Sequence, residues 1–187
     1  MSGPTPIFPK KFWRNLVNIV LGIDPGSLKT GYGLVRQEGT RLIHVHSGVI
    51  KLAHLDSLDQ KLKMIQDELS KVIQEHKPTQ AAFEEIFYAK NVKSAITLAH
   101  ARGVAVCTAA QHQLAVHEYT PLSVKEACVG YGRASKEQIQ SMVMRLLNLK
   151  ETQIQTFDQS DALAVAICHI HTHQTLQKIS KYGSVHV

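Results

Sequence analysis

Hydrophobic positions in this chain change their period several times, and each change predicts a new element. Ile19-Val20-Leu21-Gly22-Ile23 is a short continuous apolar run closed by Asp24-Pro25-Gly26. Such a run predicts a central strand covered on both faces. Pro followed by Gly predicts a type II turn with positive φ at Gly26. Thr30 to Gln37 and Arg41 to Leu52 also read as strands, and Glu38-Gly39-Thr40 between them signals a hairpin. The period then becomes helical. Leu58, Leu62, Ile65, Leu69, Val72 and Ile73 recur against a face of Lys and Glu, up to Pro78.

Gln80 to Glu84 predicts a fourth strand, and Val92 to Gln111 an Ala-rich helix. Arg102-Gly103 in its middle predicts close packing, because an interior Gly otherwise costs ~1 kcal/mol. Leu114 to Tyr119 reads as a fifth strand ended by Pro121, and a short helix follows from Ser123. Gly130-Tyr131-Gly132 breaks the chain. Ser135 then caps a helix to Leu149, with Gln138 at the capping-box position. A last helix is expected from about Gln159 to Gln174. Consecutive strands followed by helix-linked strands give an α/β fold, a mixed five-stranded sheet flanked by helices. Residues 19–176 form one domain in this reading, with 1–18 and 177–187 as flexible extensions.

Composition adds charge to this picture. Lys and Arg outnumber Asp and Glu by 21 to 15 in 187 residues, a formal charge of +6, which favours polyanionic partners such as nucleic acid. Many basic proteins bind none, so charge does not decide the function. Cys107, Cys128 and Cys168 are scattered among apolar or small residues, as expected of reduced, buried thiols. Neither an export signal nor the ~20 apolar residues of a membrane span is visible. The expected location is the cytoplasm.

Placement of the acids carries the chemistry. Asp24 closes the first buried strand, where a charge is costly without water or a cation. Glu84 and Glu85 close the fourth strand, and they point to opposite faces, so the pattern alone does not choose between them. Asp158 and Asp161 stand at i and i+3 at the start of the last helix, ~5–6 Å apart on one face. Each acid has a plain structural role open to it: Asp24 can shape a turn, and the helical pair can complement a helix dipole. Their joint position at two strand ends and one helix start points instead to a divalent cation held by hard oxygen ligands, magnesium or manganese. His169, His171 and His173 have the wrong spacing for zinc, apart from one i, i+4 pair, and are read as partial cations near a helix C-terminus.

The segment IVLGIDPGSLKTGYGLV from Ile19 to Val35 resembles the opening of the RuvC family of Holliday-junction resolvases. So do AAFEEIFYAKN from Ala81 to Asn91, ARGVAV from Ala101 to Val106 and DQSDALAVAICH from Asp158 to His169. The likeness runs from Ile19 to about His173, in family order and spacing. It implies a ribonuclease H-like fold, a homodimer with two active sites, and paired symmetric nicks in a four-way DNA junction. It also implies two magnesium ions per site, with manganese as a substitute, and work alongside the branch-migration proteins RuvA and RuvB. By this likeness Asp24, Glu84, Asp158 and Asp161 are the metal-binding acids, and Glu84 is chosen over Glu85. Phe87 matches an aromatic that contacts unstacked bases, and Lys125 and Lys136 match basic residues near the scissile strand. Lys29, Lys90, Lys93, Arg102 and Arg133 join these two lysines around the site segments, with Lys90 counted among the DNA-binding residues. The first eighteen residues exceed what the family usually carries before its first strand.

Three rival functions bear on the same residues. The Gly-Ile-Asp strand and Gly-containing hairpin also open the actin and sugar-kinase ATPases, but those need two clasping domains, and 187 residues are too few. A non-catalytic junction-binding protein would not need all four acids. A ribonuclease H-like enzyme acting on RNA is separated from a junction nuclease only by the resemblance.

Overall fold

The computed structural model describes residues 18–85 and 92–182, without the side chains of 18, 93 and 177–182. Phe87 and Lys90 lie outside the described residues, as does the side chain of Lys93. Five strands, β1 (Asn18–Asp24), β2 (Lys29–Glu38), β3 (Arg41–Lys51), β4 (Gln80–Glu84) and β5 (Ala115–Tyr119), form one sheet in the order β3-β2-β1-β4-β5. β2 runs antiparallel to both β3 and β1, whereas β4 pairs parallel with both β1 and β5. The mixed sheet expected from the sequence is present. The helices are α1 (Leu58–His76), α2 (Val92–Gln111), α3 (Pro121–Val129), α4 (Lys136–Leu146) and α5 (Phe157–Tyr182).

Strand alternation divides the core in two. Leu21, Ile23, Ala81 and Phe83 face α1 and α2, packing with Ile65, Leu69, Ala101 and Ala105. Val20 and Ala82 face the other way, with α3, α4 and the apolar run Leu163 to Ile167 of α5. β1 is thus covered on both faces, which explains its lack of polar alternation.

Local signals explain most boundaries. Gly39 at φ 60° turns the hairpin between β2 and β3, a conformation open to Gly at little cost. Ser135 and Gln138 close a reciprocal capping box at α4. α3 starts at Pro121 rather than Ser123, with Thr120 as its cap accepting from the Ser123 N–H; Pro suits the first turn because its missing N–H would have no helical partner there. α4 stops at Leu146, three residues before the expected end.

Several expectations fail for identifiable reasons. Gly26 lacks positive φ, so the turn is not type II; a Cβ there would lie 2.2 Å from the Lys29 carbonyl oxygen, and close approach is what demands Gly. Gly103 has open space where its Cβ would be, so no packing partner among the described residues explains it. Cys107 is exposed, whereas Cys128 and Cys168 are buried as expected. α5 continues through Tyr182, past the expected end near Gln174, because no breaker interrupts it. Among the described residues, no helix is long and apolar enough to cross a membrane.

Candidate active site at the carboxyl edge of the sheet

Asp24 is the last residue of β1 and Glu84 the last of β4. Their strands are parallel neighbours with Ile23 opposite Phe83, so both acids leave the sheet at one edge, where sites in open α/β sheets form. Alternation settles which glutamate points inward. Ile23 and Phe83 face α1 and α2, so Asp24 and Glu84 face α5. Glu85 already lies past the strand end, its N–H donating to the Tyr119 carbonyl at 2.8 Å.

Three glycines bring α5 onto this edge. A Cβ on Gly31 would stand 2.0 Å from the Asp158 carbonyl oxygen, one on Gly22 2.0 Å from that of Ala162, and one on Gly33 2.6 Å from the Leu163 side chain. Gly22 pairs with Gly33 across the ladder, and Gly31 pairs with Asp24. They form a trough in which the first two turns of α5 rest on bare backbone. Asp158 is therefore seated beside the strand partner of Asp24. Glycines alternating on one face of a strand signal such close approach, and the sequence reading overlooked this signal in Gly31-Tyr32-Gly33.

Electrostatics show how close the acids have come. The Asp24 carboxyl is pushed up to about 7, first by burial and then by Asp161, Glu84 and Asp158, with Lys136 opposing. Glu84 is also raised, by burial and by Asp161, against Lys136 and Lys125. Lys136, the first residue of α4, donates to Asp161 Oδ2 at 2.7 Å, and that bond raises its own pKa. The structure thus gathers Asp24, Glu84, Asp158, Asp161, Lys125 and Lys136 in one electrostatic neighbourhood. Arg102 is committed elsewhere: it pairs with Glu118 and lies over the Phe83 ring, 6.0 Å from its centroid.

The donor set suits a hard divalent cation: four carboxylates that repel one another, partly balanced by a lysine ammonium. As the side chains stand, no three His, Cys, Asp or Glu residues among those described enclose an ion. Asp161 is instead held by Lys136. Among the described residues the histidines form no such cluster. His169 is buried within α5, accepting from the Tyr119 hydroxyl at 2.7 Å through Nδ1 and donating through Nε2 to the Gln80 side chain. Burial lowers its pKa to about 3. It is a neutral core residue, not a partial cation at a helix end.

A family model described as crossover junction endodeoxyribonuclease RuvC matches residues 20–169. Proteins of that name from Syntrophotalea carbinolica and Citrifermentans bemidjiense are 54% and 49% identical over 152 and 154 residues. These alignments span 81% and 82% of this chain and 93% of each relative. The structure of Thermus thermophilus RuvC in complex with Holliday junction substrate superposes with a TM-score of 0.79 at 30% identity, covering 84% of this chain and 96% of that one. The yeast mitochondrial Holliday junction resolvase Ydc2, at 16% identity and a TM-score of 0.66, shares the fold. With the family model spanning most of the sequence and relatives about half identical over four-fifths of it, the chain belongs to the RuvC family of crossover junction endodeoxyribonucleases.

Proposed function

We propose that this protein resolves four-way DNA junctions by hydrolysing phosphodiester bonds at the edge formed by Asp24, Glu84, Asp158 and Asp161. The observation that carries this reading is the convergence of these four acids, from two strands and one helix, in a member of a junction-cutting family. The carboxylates would hold two magnesium ions, or manganese in their place. Such ions supply Lewis acidity at the scissile phosphate, readying water for attack and offsetting charge on the departing 3′ oxygen. Lys136, released from Asp161, would neutralise a phosphoryl oxygen, and Lys125 would do so from the Glu84 side. The products would be a 5′ phosphate and a 3′ hydroxyl. Phe87 would stack on an unpaired base at the junction centre, and Lys90 would bind backbone phosphate.

Paired nicks need two sites, and α2 offers a surface for pairing. Val92 and Ile96 are 76% and 52% exposed, and Gly103 and Cys107 continue the same outward face. In our reading this face joins two copies about a twofold axis, and RuvA and RuvB act on the same junction.

A synthetic mobile four-way junction tests the activity directly. Symmetric nicks that require a divalent cation are expected, with little cutting of linear duplex or of RNA. Asp24→Asn should lower the cleavage rate by at least about a thousandfold, since it removes a group that acts in the transition state, while junction affinity in a gel-shift assay stays close to wild type. Undiminished cutting by that variant would sink the assignment.

A further inference from the structure

Asp158 and Asp161 owe their position to the first turn of α5, and one side chain between them ties that turn to the far edge of the sheet. Gln159 is 8% exposed and all of its polar groups are engaged. Its Oε1 accepts from the Gln155 N–H at 3.1 Å, and its Nε2 donates to the Gln153 carbonyl at 3.2 Å and to Ser47 Oγ at 2.8 Å. Ser47 Oγ lies 2.7 Å from His44 Nε2. Both residues belong to β3, next to the bulge where Val35 pairs with His44 and Leu34 with His46. A chain of hydrogen bonds thus runs from Gln159 through Ser47 to His44 and anchors the loop before α5 to the edge strand.

The Gly22, Gly31 and Gly33 trough sets how deeply α5 sits on the sheet, but a smooth trough does not stop the helix from sliding or rolling. The Gln159 side chain supplies a directional stop. The Thr156 hydroxyl accepts from the Gln159 N–H at 3.3 Å, so backbone and side chain of one residue hold both the cap and the strand. We propose that Gln159, acting through Ser47, is a positioning residue that fixes the rotation of α5 and thereby lets Asp158 and Asp161 close on a divalent cation together with Asp24 and Glu84. This inference rests on the metal-binding role assigned above.

Ser47 is the cleaner place to test it, because it lies outside the acid cluster. Manganese binding is measured by calorimetry on the full chain, beside the magnesium concentration for half-maximal junction cutting. Partners of metal ligands typically contribute 10–100-fold to affinity. Ser47→Ala and Gln159→Leu, which act through the helix, should weaken manganese binding and shift the magnesium midpoint by about tenfold. Ser47→Thr, which keeps a hydroxyl, should restore both, and cutting at saturating magnesium should fall less than the midpoint moves. Val72→Ala, on the buried face of α1, serves as a stability control. A matched loss of Tm in that variant should leave the metal midpoint in place. Wild-type manganese affinity in Ser47→Ala would overturn the inference, as would an equal shift in Val72→Ala. Normal manganese binding by a wild-type chain that cuts no junction would remove the proposed activity and leave the role of Gln159 intact.

Discussion

His169 shows what burial does to a single residue. Its ring is enclosed in the core between α5 and the sheet, with the Tyr119 hydroxyl on one nitrogen and the Gln80 amide oxygen on the other. An unfolded histidine binds a proton near pH 6.5, whereas the folded ring resists one until about pH 3. Between those values the unfolded chain holds more protons, so stability falls as the solution is acidified. The loss between pH 6.5 and 3 is bounded at roughly 3–5 kcal/mol. His169→Gln, a neutral amide, should flatten this acid limb in urea melts run from pH 7 to pH 4. A limb as steep as wild type would show that other groups set the acid sensitivity. The run His169-Ile170-His171-Thr172-His173 was misread because helix length, and with it burial, depends on what packs around α5. Residue spacing could not show that the helix continues to Tyr182.

At the scale of elements, the site depends on one helix lying directly on two strands. The Gly31 Cβ position is blocked by the Asp158 backbone, not by a movable side chain. Gly31→Ala should therefore cost about 1–3 kcal/mol, the usual penalty of overpacking, and should reduce junction cutting. Denaturant melts and the junction assay measure the two effects, and an unperturbed protein would mean that α5 sits higher than described. Gly103 on α2 behaves in the opposite way. Among the described residues nothing lies near its Cβ position, so Gly103→Glu should leave the folded chain intact and improve helix propensity by about 0.5 kcal/mol. It should also place a charge on the proposed pairing face and shift the protein from dimer to monomer in sedimentation. A variant that stays dimeric at the same concentration would move the interface off this face. Sequence pattern marks Gly103 as a point of close packing but does not say against what, since the period of one helix does not name the surface that meets it.

Across the whole molecule, charge and topology cooperate. A net charge of +6 draws DNA towards the protein, yet the chemistry proposed here sits among four carboxylates at the sheet edge. Lys125 and Lys136 act on those carboxylates, and their phosphate contacts should appear in the salt dependence of junction binding. Log affinity against log salt should become shallower by about 0.9 for each contact removed. Filter binding of Lys125→Ala between low and physiological salt checks this, and an unchanged slope would place Lys125 away from the phosphates.

The chain's own pattern determined the sheet, its helices and the residues that end the strands, because hydrophobic period, caps and Pro or Gly breaks are local properties. It placed Asp24, Glu84, Asp158 and Asp161 at element ends without any knowledge of distance. Tertiary structure decided the rest. Parallel register and strand alternation turned Glu84 towards α5. A bare-backbone trough brought Asp158 beside Asp24, and the Gln159 link to Ser47 joined segments 112 residues apart. These features require two distant stretches to touch, and contact between distant stretches is set by how the elements pack rather than by the period of either one.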